Sequence, residues 1–262
     1  MKRLILLPAL FSLVACSTVP GTGRSQFNLM SSSQEMSLGA QSYNEILKGE
    51  RIVEDGPDAK MVQEIGRRIA ASAKEYLPKS DASKFRWEFK LIDDDAMVNA
   101  WALPGGKTAV YTGLLPVTGD EDSLAIVMGH EVAHALASHG AERMSHGILL
   151  QVGMLGASVS MRDMDSEDRT MVMAGLGLGA HLGVSLPFSR SHESEADEIG
   201  LMIAANAGYN PEASIGLWER MGASGAEPPE WLSTHPNSST RIERLRSLMP
   251  KAMILYREAL IQ

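Results

Sequence analysis

Cysteine, clustered basic residues and long apolar runs are all scarce in this chain, and each scarcity excludes something. The 262 residues hold one cysteine, Cys16, so no intramolecular disulfide can staple the fold. Lysine and arginine number 24 against 32 aspartates and glutamates, a formal net charge of −8, and the basic residues nowhere gather into a patch. Phosphate backbones are held by such patches, so nucleic acid is not expected as a partner. No stretch of the mature chain offers the ~20 apolar residues that span a bilayer as a helix. With 44% hydrophobic and 21% charged residues, the composition is that of an ordinary globular chain able to bury a full core.

What is present begins at the amino terminus. Met1-Lys2-Arg3, the apolar run "LILLPALFSLV" and the approach to Cys16 have the build of a secretory signal. "LVAC", residues 13–16, resembles the lipobox of bacterial lipoproteins, in which the signal is cut before the cysteine and that cysteine carries acyl chains. The expected organisation is a lipoprotein signal peptide over 1–15, a lipidated Cys16 opening an anchor and flexible tether over 16–33, and one domain over 34–262. Ser17 after the cysteine, rather than aspartate, suits outer-membrane sorting in a Gram-negative cell, with the domain facing the periplasm.

Further along, Ser32 with Glu35 predicts a capping box for a helix over 33–48, and Pro57 opens a second helix with Met61, Ile65, Ile69 and Ala73 on one face. Alternation at Phe85, Trp87, Phe89 and Leu91, with apolar runs either side of Pro104-Gly105-Gly106, predicts a small antiparallel sheet of about three strands. Helix then dominates, over 120–140, after Ser145, and over 167–185, 191–207, 211–222 and 238–260. The fold class expected is α+β, mostly helical, with the small sheet near the front. "GILLQVGMLGASVSM" and "MVMAGLGLGAHLGVSLPF", separated by the charged "RDMDSEDR", read as a buried helical hairpin. The alternative is a hairpin that gates a site or faces the membrane.

The chemistry-bearing stretch is "GHEVAHALASHG", residues 129–140. Its His130 and His134, at i and i+4, share a helix face and can direct both rings at one cation. Glu131, about 100° round the helix, cannot share the ligand position but can reach a water there. A catalytic zinc takes three protein ligands and keeps a position open. In "SRSHESEADEIGLM", Glu193 and Asp197 form a second i, i+4 pair, with Glu193 as the third ligand and Asp197 as acceptor for a ligand histidine's other N–H. A solvated acidic face is the alternative for both. An oxyanion needs a donor, for which His235 and Arg241 in "STHPNSSTRIERL" are candidates. His139, His146, His181 and His192 are read as structural.

"NAWALPGG", "TGLL", "GHEVAHALASHGAERM", "SRSHESEADEIGL" and "THP…TRIERL", in this order across residues 34–248, resemble the Ste24/HtpX-type zinc metallopeptidases of the gluzincin group. The likeness is greatest to the soluble bacterial lipoprotein branch, itself similar to a mitochondrial inner-membrane stress peptidase. The resemblance implies a zincin-like domain with one Zn2+ per chain on His130, His134 and Glu193, Glu131 as general base, and Asp197 behind a ligand ring. It places His235 on a loop near the metal, where it can take part in catalysis or fill the open position and restrain it. It also makes Asn99, Ala100, Trp101 and Ala102 an edge strand that holds an extended peptide by backbone hydrogen bonds. A hairpin that only packs the core is the alternative.

The implied function is an endopeptidase of the cell envelope acting on unfolded, misfolded or misassembled proteins. Zinc in such a site makes a water acidic and polarises the scissile carbonyl, while Glu131 carries the proton from that water to the leaving amine. The competing expectation is a periplasmic chaperone or assembly factor on the same scaffold, with cleavage secondary or latched.

Overall fold

The computed structural model describes residues 16–180, 186–222, 235 and 239–261; the expected signal peptide over 1–15 and His181 lie outside the described residues. The first described segment corrects an expectation. Strands β1 (Cys16–Thr18) and β2 (Ser25–Phe27) pair antiparallel, and the connection turns through Gly21 and Gly23 at φ +93° and +74°, values that favour glycine. Val19 and Gln26 are buried, and Arg24 makes ion pairs with Glu142 and Glu195 of the main domain. The Ser/Gly/Thr/Pro-rich composition that suggested a flexible tether over 17–33 instead supplies a tight hairpin, docked on the domain by a buried valine and one arginine.

Helix α1 (Ser32–Leu47) starts one residue earlier than expected. Ser31, not Ser32, is the cap, exchanging hydrogen bonds with Gln34; Glu35 is buried and accepts from Asn28 at 2.6 Å. Helix α2 (Pro57–Tyr76) buries Val62, Ile65, Ile69 and Ala73 and lies against β4 (Glu88–Ile92). Gly66 allows the close approach, because a Cβ there would sit 2.2 Å from the Phe89 ring.

The sheet is small, as expected, but has four strands in the order β3-β4-β6-β5, where β3 is Ile52–Val53, β5 Ala100–Leu103 and β6 Lys107–Tyr111. Two of its pairings are antiparallel, β3 with β4 and β5 with β6, the latter closed by Pro104-Gly105-Gly106. The central pairing of β4 with β6 is parallel, since β5 is threaded to the far side of β6. Among the described strands β5 is an edge.

Helices α3 (Glu121–Leu136), α4 (His139–Ser160), α5 (Ser166–Ala180), α6 (Leu186–Asn206), α7 (Ala213–Gly222) and α8 (Ser239–Ala259) make the chain mostly helical. Asp120 caps α3 by accepting from the Ser123 amide at 2.7 Å, and Glu121 and Asp122 complement its positive end. Helix α3 is central: β5 lies along it on one side and α6 crosses it on the other. That crossing is a glycine contact. A Cβ on Gly200 would lie 2.7 Å from the His130 amide nitrogen, and one on Gly129 would lie 2.8 Å from the Gly200 carbonyl oxygen.

The α4–α5 hairpin also departs from expectation. It was expected buried, yet Val152, Leu155, Met171 and Leu178 are 62%, 67%, 72% and 60% exposed. Only the first turns of α4, with His139, Ala141, Glu142 and Ser145, pack into the domain. Beyond them the two helices pair with each other, and the apolar periodicity that suggested a core face is turned outward. Among the described residues no helix is long and apolar enough to cross a membrane.

Candidate metal centre

Every residue of α3 from Ser123 to Leu136 is buried, as an apolar run of that kind requires. Ionisable groups inside such a helix are costly unless partnered, and His130, Glu131 and His134 are all there, at 3%, 4% and 8% exposure. Their partners come from α6 across the glycine contact. Glu193 Oε2 lies 3.3 Å from His130 Nε2, and Glu193 Oε1 lies 3.4 Å from His134 Nε2. The two Nε2 atoms are 3.1 Å apart.

These spacings test whether a metal fits. Donors bonded at 2.0–2.1 Å to a tetrahedral zinc lie about 3.3 Å from one another, close to the three distances observed. Two ring nitrogens so near each other need a proton or a cation between them, because their lone pairs otherwise oppose. His235 Nδ1 supplies a fourth corner, 3.1 Å from His130 Nε2 and 3.0 Å from Glu193 Oε2, and all four donor atoms fall within 4.8 Å. Two imidazoles, a carboxylate and a third imidazole form a donor set suited to zinc.

Behind these donor atoms the His130 ring is held in place. His130 Nδ1 lies 3.0 Å from Asp197 Oδ1. Arg241, expected as an oxyanion donor, instead puts its Nη2 on Asp197 and its Nη1 3.6 Å from Glu193 Oε2, with its guanidinium 3.4 Å above the centre of the Trp218 ring. It is buried, and its charge clamps the two α6 carboxylates. Glu131 Oε1 lies 3.5 Å from His235 Nε2, beside the fourth corner.

The electrostatics follow from burial and these contacts. Burial opposes charge on His130, but hydrogen bonds to Asp197 and Glu193 outweigh it and raise the ring to about 9. Burial drives His134 down to about 3, leaving it neutral. For Glu193, hydrogen bonds from His130, His134 and His235 overcome burial and hold the carboxyl below its ordinary range; for Asp197, Arg241 and His130 do the same. A metal entering at neutral pH therefore displaces the His130 proton. Zinc uptake at pH 7.5 is expected to release about one proton per ion, read from the dependence of calorimetric binding enthalpy on buffer ionisation enthalpy. Because the His130 value is raised, zinc affinity is expected to climb about tenfold per pH unit up to about 9; an affinity flat between pH 6.5 and 8 would contradict this assignment.

A model of peptidase family M48 matches residues 58–249. The chain belongs to this family. Similar proteins include the mitochondrial metalloendopeptidase OMA1 of Schizosaccharomyces pombe, 34% identical over 242 residues, covering 90% of this chain and 67% of that protein. The Saccharomyces cerevisiae protein of the same name is 31% identical over 265 residues, with coverages of 96% and 74%. The beta-barrel assembly-enhancing protease of Yersinia pestis is 26% identical over 242 residues, 90% of this chain and 48% of that one. Membership of M48, with relatives of this kind, makes the chain a metalloendopeptidase.

In this M48 chain the structure gathers His130, Glu131, His134, Glu193, Asp197, His235 and Arg241 in one place. Ala100, Trp101 and Ala102 lie on edge strand β5 alongside α3, and Asn99 adjoins it, its carbonyl accepting from the Tyr111 amide at 3.0 Å. Cys16 is at the start of β1, paired with Phe27 of β2. Sequence reasoning missed Arg24, which lies outside the motifs, and Glu142 and Glu195, which lie within them, and passed over their partners His139 and His192 as structural. Its only local signal for them was a third histidine five positions after His134.

Proposed function

We propose that this chain is a zinc-dependent endopeptidase of the bacterial cell envelope that cuts misfolded or misassembled proteins. In this reading it is held by a lipidated Cys16 at the outer membrane and faces the periplasm. The observation that carries the catalytic part is the convergence of His130, His134, Glu193 and His235 donor atoms within 4.8 Å beside Glu131. Zinc on the first three would supply a Lewis acid and an acidified water. Glu131, buried next to the fourth corner, accepts the proton of the attacking water and returns it to the leaving amine. An unfolded chain adds to the edge of β5 in extended form, which suits substrates recognised by lack of structure rather than by sequence. The lipobox-like "LVAC" supports the anchor, and a relative named for enhancing β-barrel assembly supports an envelope role.

In this reading His235 is a latch. Its Nδ1 takes the corner that substrate needs, and its Nε2 lies near Glu131. Replacing it with alanine is expected to raise kcat/KM on casein. If the open state is populated about one part in ten, the gain is about tenfold; a fall instead would make His235 a catalytic donor.

A second reading, a periplasmic chaperone or assembly factor, is favoured by one observation, the outward apolar face of α4 and α5, which offers unfolded chains a surface to bind. Zinc content and casein cleavage by the full chain in detergent separate the two. Stoichiometric zinc with cleavage supports the peptidase. Zinc without cleavage, even after His235→Ala, favours the chaperone, and a chain that takes up no zinc defeats the first reading.

A further inference from the structure

The ring that offers Nε2 at the metal centre from the second histidine of α3 has another face. His134 Nδ1 lies 2.8 Å from His139 Nδ1. His139 is fully buried, and its Nε2 lies 3.0 Å from Glu195 Oε2. Glu195 in turn accepts from Arg24 Nε at 2.8 Å and from the Thr22 hydroxyl. The terminal nitrogens of Arg24 grip both oxygens of Glu142, at 2.9 and 2.6 Å, and Glu142 meets His192 Nε2 at 2.9 Å. The His192 ring stacks on His139 with centroids 4.0 Å apart and planes within 10°. An unbroken path therefore runs from the amino-terminal hairpin to a metal-site histidine.

Imidazole chemistry gives that path a direction. A nitrogen that binds a metal must present its lone pair, so a neutral His134 ligating through Nε2 carries its proton on Nδ1. That proton points at His139 Nδ1, which can accept it only if the His139 proton is on Nε2. There it is donated to Glu195. Arg24 is an obligate donor, so Glu195 meets it with lone pairs, and the same carboxylate can only accept from His139. The opposite tautomer of His139 would set two protons face to face at His134 and leave two acceptors facing at Glu195.

We propose that His139, Glu195 and Arg24 are positioning residues, through which the amino-terminal hairpin sets the tautomer and orientation of metal ligand His134. The inference rests on reading His130, His134 and Glu193 as the metal ligands.

The local backbone is arranged for this contact. On a continuous helix, position i+5 lies about 140° round the axis from i, so His139 would face away from His134. The helix breaks instead at Ser138, whose φ of +53° is left-handed and uncommon for a residue with a side chain, and α4 restarts at His139 with its ring turned back. The hairpin has strands of three residues and could not persist alone, so Arg24 orders it at the same time as it orders the relay.

The test is zinc affinity of the full chain in detergent, by competition with a chromophoric chelator, beside the melting temperature of each metal-free variant. His139→Phe removes the acceptor and is expected to weaken zinc binding 10- to 100-fold. His139→Gln keeps a carbonyl acceptor and is expected to recover most of that loss. Arg24→Met and the isosteric Glu195→Gln are each expected to weaken binding about tenfold, and Arg24→Lys to restore it in part. A residue that only packs would change affinity no more than stability predicts and would give no rescue. Affinities within twofold of the parent in Glu195→Gln and Arg24→Met, or His139→Gln as poor as His139→Phe, would overturn the relay alone. A parent chain that binds no zinc would overturn the metal site and the relay together.

Discussion

Glu131→Gln should lower casein hydrolysis by about 10^3- to 10^4-fold, the upper part of the range for a general base, while zinc uptake and melting temperature stay close to those of the parent. The substitution keeps size and shape at a buried position on α3, so the helix loses no packing. What goes is the ability to take a proton, since an amide oxygen at neutral pH is a negligible base. The proposed metal donors, His130 Nε2, His134 Nε2 and a Glu193 oxygen, do not include Glu131, so zinc affinity is expected to stay close to that of the parent. The comparison is best made in the His235→Ala background as well, where the fourth corner is open and a latch cannot mask the loss. Residual activity above one tenth of the matched parent would remove Glu131 from the role of base. Loss of zinc or of folding would mean that it holds the site together.

How much of this could be read from the sequence depends on how local each cause is. The pair His130 and His134 and the pair Glu193 and Asp197 are each spaced one helical turn apart, so their shared faces were legible. The core stripe of α2 was legible for the same reason, with Ile65, Ile69 and Ala73 buried as expected. The β5–β6 hairpin was legible from its Pro-Gly-Gly turn. Long-range choices were not. Alternation along residues 85–91 cannot say that β4 lies parallel to β6 rather than beside β5. Apolar periodicity in 147–161 marks a helix face without saying whether anything covers it, and in this chain Leu149, Val152 and Leu155 remain outside. The Ser/Gly/Thr/Pro composition of 17–33 describes both a tether and a tight turn, and the difference lies in Arg24 finding Glu142 and Glu195, 118 and 171 residues away. Arg241 was placed near the chemistry, but only the fold reveals that its guanidinium serves Asp197.

The least legible feature is the one on which the centre most depends, and it yields the second large effect. Gly200→Ala is expected to destabilise the metal-free chain by about 2–3 kcal/mol and to weaken zinc binding at least tenfold. A helical glycine replaced by alanine ordinarily gains up to about 1 kcal/mol, so the expected sign is opposite to propensity. The reason is the neighbour. The new methyl would lie 2.7 Å from the His130 nitrogen, 2.8 Å from the Gly129 carbonyl carbon and 2.8 Å from the His130 Cα, all backbone atoms of a buried helix that cannot swing aside. Relief requires α3 and α6 to separate, and those helices carry His130 and His134 on one side and Glu193 and Asp197 on the other. A shift of a few tenths of an ångström is a large part of the tolerance of a bond near 2.0 Å, so ligand geometry suffers along with packing. Gly156→Ala provides the control: it is also a helical glycine, on α4, but nothing lies within 4 Å of its added carbon, and it should be neutral or slightly stabilising. For a chain of this length the Gly200 loss corresponds to a fall of about 4–10 °C in Tm. A Gly200→Ala chain that melts and binds zinc like the parent would show that α3 and α6 are not in this contact, and the placement of Glu193 opposite the two histidines would fall with it.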